Sequence, residues 1–219
     1  AGKTYEEAIG GRWKMTTPMP EKVKKIVVQD VSNVKEVAAG VDFVFSAVDM
    51  TKDEIKKIEE EYAKTETPVV SNNSAHRWTP DVPMVVPELN PEHFEVIEAQ
   101  KKRLGTTRGF VAVKPNCSIQ SYTPALTALK KAGFEPKTVV ATTYQAISGA
   151  GKTFKDWPEM EHNIIPFIGG EEEKSEREPL RIWGHVENGE IVKADSPVIT
   201  TQCIRVPVLD GHTAAVFVT

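Results

Sequence analysis

The sequence predicts an α/β fold: a parallel sheet with crossover helices over the first half, then an α+β segment built on a mixed sheet. Three observations carry this reading. Residues 41–48 (VDFVFSAV), bounded by Gly40 and Asp49, form the continuous apolar run expected of a strand buried on both faces. Residues 68–71 (PVVS) and 110–113 (FVAV) are further strand-like runs, and strand, helix, strand in this order argues for parallel pairing. Beyond Cys117 the texture changes: residues 138–145 (TVVATTYQ) alternate and are β-branched, as in a sheet with one face turned to polar groups.

Element by element, the opening stretch is broken by Gly10-Gly11, Pro18 and Pro20 and reads as loop and short elements. An apolar run begins at Ile26. Thr51-Lys52-Asp53-Glu54 has capping-box spacing, and the helix it opens turns Ile55, Ile58 and Tyr62 inward. The second strand ends in the polar Asn72-Asn73-Ser74. Ile119, Tyr122, Leu126 and Leu129, three and four apart, predict a helix after Cys117. Residues 157–170 read as loop and 171–181 as a charged helix. Residues 203–208 (CIRVPV) and 213–218 read as two strands joined through residues 209–212. A domain boundary near Lys114 divides the chain into 1–114 and 115–219.

Composition narrows the function. The chain has 219 residues, is 40% hydrophobic and 26% charged, and carries a net charge of −4. Its basic pairs are interleaved with acids, which gives no support for nucleic-acid binding. No stretch reaches the ~18 apolar residues of a membrane span. Cys117 and Cys203 match neither metal-ligand spacing nor a disulfide scaffold, and predict a reducing cytoplasm. His76, His93, His162 and His185 form no ligand cluster, so no metal is expected. The sequence opens without Met and stops inside the apolar run 215–219, and on that reading is an internal piece of a longer protein.

The tetrapeptide Pro115-Asn116-Cys117-Ser118 places a thiol at a strand-to-helix corner, where free N–H groups and a helix dipole favour a thiolate. A buried structural cysteine is the alternative. The fingerprint GxGxxG is absent: Gly149-Ala150-Gly151 follows a strand, but Phe154 occupies the third glycine position. That segment is either a plain tight turn or one that lets backbone approach a ligand. In a strand at 203–208, Arg205 shares a face with Cys203, and a short turn brings His212 to the strand's end. A cation beside an imidazole suits anion binding with proton transfer, against a surface arginine and a turn histidine. Arg77 follows a polar strand end and suits a carboxylate or phosphate, or stacking on an aromatic surface. Glu171 and Lys174 lie one helical turn apart, the spacing of a surface ion pair.

Together, SNNSAHRWTPDVPMVVPELN (71–90), KPNCSIQ (114–120), TTYQAISGAG (142–151), EEEK (171–174) and CIRVPVLDGH (203–212) resemble the aspartate-β-semialdehyde dehydrogenase family, nearest its archaeal and fungal branch. The resemblance covers nearly the whole chain. It implies a partial Rossmann-like dinucleotide-binding domain over 1–114 and a catalytic and dimerisation domain over 115–219. It implies that Cys117 is the nucleophile, Gln145 orients the acyl group, His212 is the acid/base and Asn116 helps to build the oxyanion environment. Arg205 then grips the substrate carboxylate, Glu171 the amino group, and Arg77 and Lys174 the phosphate. NADP is the implied cofactor, with Ser46, Ala47, Asn72, Ser148, Gly149 and Gly151 at positions lining its site. The implied substrates are aspartyl phosphate, aspartate semialdehyde and phosphate, and the implied assembly is a homodimer or homotetramer. The family's glycine-rich opening loop and its second glycine-containing cofactor segment are not present in this sequence. Two alternatives stay open: a related reductase of acyl-CoA thioesters such as malonyl-CoA, and a non-catalytic dimerisation module.

Overall fold

The computed structural model describes every residue except Lys14. Its first half holds a three-stranded parallel sheet, β1 (Val44–Ser46), β2 (Val69–Ser71) and β3 (Val111–Val113), in that spatial order. Three short helices precede it: α1 (Tyr5–Ile9), α2 (Glu21–Lys24) and α3 (Val34–Ala38). Helix α4 (Lys52–Lys64) crosses from β1 to β2, and its capping box is formed: Thr51 Oγ1 accepts from the Glu54 N–H, and Glu54 Oε2 accepts from the Thr51 N–H. Ile55 and Tyr62 turn inward as the spacing predicts, and Glu59 is buried with them. A 3₁₀ turn (Pro91–Val96) and α5 (Ile97–Leu104) return the chain to β3.

The expectation of a doubly buried strand over 41–48 is corrected. Only Val44–Ser46 pairs, and Phe45 is 77% exposed, in edge-to-face contact with Phe43. The reason is position. β1 is an edge strand, so its alternate residues divide between the core and an outer face that no element among the described residues covers. The apolar run at residues 26–28 makes one antiparallel bridge, Val27 to Thr4, and no strand.

After β3, a 3₁₀ turn (Ser118–Ser121) comes before α6 (Thr123–Lys131). The helix predicted directly after Cys117 is therefore delayed by one tight turn, with Pro124 in the first turn of α6. Ile119, Tyr122 and Leu126 are buried, while Leu129 lies outside. The second sheet is mixed, in the order β7 (Val198–Arg205), β4 (Thr138–Gln145), β8 (His212–Val218). Central β4 runs parallel to β7 and antiparallel to β8. The two strands joined through the residues before His212 are both present, and they flank β4 on opposite sides. β7 also lies earlier than residues 203–208, ending at Arg205 two residues before Pro207, which has no N–H for a ladder. Helix α7 (Glu171–Ile182) packs on this sheet, and a small hairpin, β5 (His185–Glu187) with β6 (Glu190–Val192), turns on Asn188-Gly189, both at positive φ.

A continuous core joins both halves, with Val69, Met84 and Val111 from one and Ile119, Val139 and Ile182 from the other. The tightest point is Gly109, before β3, where a Cβ would stand 1.8 Å from the Ala63 carbonyl oxygen at the end of α4. Gly109→Ala is therefore expected to cost about 3 kcal/mol, the upper end of overpacking penalties, read as a lowered urea midpoint with unchanged slope.

Candidate active site

The end of β4 organises the site. Gln145 is in register with Arg205 of β7 on one side and with His212 of β8 on the other. Residues in one register row share a face, so the three side chains stand together on the side that meets α7. The next residue, Ala146, secures two of them through its backbone. Its N–H donates to His212 Nδ1 at 3.1 Å, and its carbonyl accepts from Arg205 Nη1 at 2.7 Å.

Cys117 meets this row from the segment that follows β3. Its Sγ lies 3.4 Å from His212 Nε2, and its side chain is exposed to an open cleft lined also by Ser121, Ser148, Gly149 and Gly211. With Nδ1 accepting from Ala146, the neutral imidazole carries its proton on Nε2, toward the sulfur. Burial, the largest influence, lowers the His212 pKa from its ordinary 6.5; the Gly211 backbone opposes this and Arg205 adds to it. The imidazole is thus held neutral, with its N–H placed to stabilise a thiolate and to pass a proton to oxygen. Cys203 is fully buried 3.6 Å from Ser175 Oγ and takes the structural role.

Helix α7 supplies the acids. Glu171 Oε2 accepts from Asn116 Nδ2 at 2.9 Å and lies 3.5 Å from Gln145 Nε2, while Oε1 pairs with Lys174 at 2.7 Å. Burial raises the Glu171 pKa, but the hydrogen bonds from Lys174 and Asn116 outweigh it, and the net shift is downward, so this carboxylate stays charged. Asn116 Oδ1 accepts from the Ser118 N–H and hydroxyl, so the residues flanking Cys117 are tied to each other.

The three predicted cations differ. Arg205 is 6% exposed and, among the described residues, forms no ion pair; its hydrogen bond is to a carbonyl. Lys174 is paired with Glu171, and Arg77 is buried in an ion pair with Glu178 at 2.9 Å. Arg77 and Lys174 nonetheless line one cavity, together with Lys52, Trp78 and Arg177. Of the residues implied for the cofactor, Ser148 and Gly149 line the Cys117 cleft and Gly151 closes the turn behind them at φ +68°. Ser46, Ala47 and Asn72 do not line that cleft; they sit at the ends of β1 and β2, where the Asn72 N–H donates to the Ser46 carbonyl.

Sequence reading missed Glu178, although it lies seven residues after Glu171 on the same face of α7. It also missed Ala146, whose role is wholly in its backbone. Among the described residues there is no group of three or more His, Cys, Asp and Glu that could hold a metal ion, and no helix long and apolar enough to cross a membrane.

A parallel-sheet half, a mixed-sheet half and a cysteine–histidine pair between them define a class that the comparisons specify. The family model for the semialdehyde dehydrogenase NAD binding domain matches residues 1–97, and that for the semialdehyde dehydrogenase dimerisation domain matches residues 126–219. The chain belongs to the semialdehyde dehydrogenase family. It is 42% identical over 220 residues to the aspartate-semialdehyde dehydrogenase of Methanothermobacter thermautotrophicus, covering all of this chain and 60% of that one. The Aspergillus fumigatus aspartate-semialdehyde dehydrogenase is 37% identical over 99% of this chain and 58% of its own length. The crystal structure of aspartate semialdehyde dehydrogenase with NADP from Candida albicans superposes with a TM-score of 0.84 at 35% identity, covering 100% of this chain and 61% of that one. The chain thus spans about three fifths of the length of these relatives.

Gly149 presses on the pair: a Cβ there would stand 2.8 Å from His212 Cε1 and 3.1 Å from Arg205 Nη1. Gly149→Ala is expected to displace the imidazole from the sulfur and slow alkylation of Cys117 by iodoacetamide at pH 7 by about tenfold or more.

Proposed function

We propose that this chain carries the catalytic centre of an NADP-dependent aspartate-semialdehyde dehydrogenase, which reductively dephosphorylates aspartyl phosphate to aspartate semialdehyde on the route to lysine, threonine and methionine. The observation that carries the reading is the 3.4 Å approach of Cys117 Sγ to His212 Nε2, beside the buried Arg205, which has no ion pair among the described residues.

In this reading the Cys117 thiolate attacks the acyl carbon of aspartyl phosphate. A carbon–sulfur bond forms, the carbon–oxygen bond to phosphate breaks, and a thioester remains on Cys117. NADP, when bound, supplies or accepts the hydride that links the thioester and aldehyde oxidation levels. His212 Nε2 gives its proton to the developing alkoxide of the thiohemiacetal and recovers it when the aldehyde departs and the thiolate is restored. Gln145 orients the acyl group, and Asn116 frames its oxygen. Arg205 receives the substrate α-carboxylate, since a buried guanidinium with open donors favours a planar anion. Glu171, kept ionised, faces the ammonium group. Arg77 and Lys174, on one cavity wall, hold the phosphate.

The site fits a nicotinamide on one observation: the missing side chain of Gly149 leaves the flank of the Cys117–His212 pair open to a flat ring. Ser148, Gly149 and Gly151 would hold that end, and Ser46, Ala47 and Asn72 the strand-end portion. The family matches over residues 1–97 and 126–219 support a domain boundary near Lys114. The second sheet turns Val140, Tyr144, Val198 and Phe217 outward, an apolar face that suits a homodimer or a dimer of dimers. Two free cysteines, one of them exposed, suit a reducing cytoplasm.

The test is NADPH formation from aspartate semialdehyde and phosphate, in a protein carrying this sequence at the full length of its relatives. Phosphate-dependent turnover is expected, and Cys117→Ala is expected to lower kcat at least about 10⁴-fold; a folded parent with no turnover overturns the reading. The lowered His212 pKa fixes the sign of the pH dependence. The neutral imidazole persists below pH 6.5, so the acid limb of kcat/KM is expected to have its midpoint below that value.

A further inference from the structure

We infer that Glu178 is a positioning residue for Cys117, acting with Arg77 as a clamp on the peptide that precedes the nucleophile; the inference rests on the proposed function for its catalytic readout. Glu178 is 1% exposed and stands one turn beyond Lys174 on α7. Its Oε2 accepts from the Asn116 N–H at 2.6 Å, and its Oε1 pairs with Arg77 Nη1 at 2.9 Å. Arg77 Nε then donates to the Lys114 carbonyl at 3.1 Å. The ion pair thus holds the two peptide groups on either side of Pro115, one through its oxygen and the other through its N–H.

The chemistry of that stretch explains why it needs a clamp. Pro115 has no N–H, so the turn out of β3 cannot be held there by a backbone donor. The segment after it is a single 3₁₀ turn, whose hydrogen bonds fix few residues. Asn116 lies next to Cys117, so a rotation of its peptide moves Sγ relative to His212 Nε2. The partners are far apart in sequence: Arg77 follows β2 in the parallel-sheet half, and Glu178 comes from the helix on the mixed sheet. Their contact therefore ties the nucleophile's position to the docking of the two halves. Neither side chain touches the sulfur in a hydrogen bond, so both act through the backbone.

A buried pair is costly to break from one side, because the remaining charge is left uncompensated. The test therefore uses Glu178→Gln, Glu178→Asp and the double variant Arg77→Gln, Glu178→Gln, which removes both charges together. Each is made at the full length of the relatives. Two quantities are read per folded molecule: the pH profile of Cys117 alkylation by iodoacetamide, with Cys117→Ala as blank, and kcat for NADPH formation from aspartate semialdehyde and phosphate. The clamp predicts a shifted alkylation profile and a kcat lower by about 10- to 100-fold in Glu178→Gln and in the double variant. It predicts partial recovery in Glu178→Asp, which keeps the charge but reaches less far. A role in stability alone predicts a lower melting temperature with alkylation in all three variants, and kcat per folded molecule in the two Glu178 single variants, within about twofold of the parent, and that result overturns the proposal. A parent without turnover would sink the proposed function, while the alkylation profiles would still decide for or against the clamp.

Discussion

The site depends on one register. Gln145 stands between Arg205 and His212 because β4 pairs in parallel with β7 and antiparallel with β8, and both ladders place those residues opposite it. A one-residue slip in either ladder would turn Arg205 or His212 to the opposite, solvent-facing side. The buried alternation of β4 and β7, with Val139, Ala141 and Thr143 against Ile199, Thr201 and Cys203, opposes such a slip. Packing that stabilises the sheet therefore also sets the geometry of the candidate site, and Ala146 completes it by holding one side chain with each of its two backbone groups.

Around that row the buried charges are distributed unequally. Glu171 and Glu178, seven residues apart on one helix face, secure Asn116 by its side chain and its backbone respectively. Lys174 and Arg77 compensate them, so these ion pairs do structural work even without a ligand. Arg205 has no such partner among the described residues, although burial disfavours its charged form. A cation left unpaired at that depth costs stability, and an arriving carboxylate would relieve the cost. That asymmetry separates Arg205, buried with a carbonyl as its hydrogen-bond partner, from Arg77, which is ion-paired with Glu178.

Two surfaces remain apolar. The outer face of the parallel sheet shows Phe45 and Val70, and the outer face of the mixed sheet shows Val140, Tyr144, Val198 and Phe217. The first spans edge strand β1, whose sequence reads as fully buried, and central β2, and the second lies in the region matched by the dimerisation-domain model. The sequence pattern and the exposure disagree at Phe45 for a simple reason. Periodicity reports which residues favour burial, whereas exposure depends on which elements are there to cover them.

By itself the sequence determined the element types wherever a local rule operates. The capping box at Thr51, the alternation at residues 138–145, the charged helix from Glu171 and the strand-to-turn corner at Cys117 all depend on neighbours within a few residues. The candidate site was legible as ordered motifs, including Cys117, Gln145, Arg205 and His212. The Asn188-Gly189 turn of the small hairpin is likewise encoded locally, by its dipeptide. Tertiary structure alone decided that β7 and β8 flank β4, that Arg77 is ion-paired while Arg205 has no ion pair among the described residues, and that Glu178 reaches the backbone of Asn116. Those facts depend on contacts between residues 60 to 101 positions apart, as in Gln145 with Arg205 and Arg77 with Glu178. No local pattern encodes such contacts, because register and burial arise only when separate segments pack against each other.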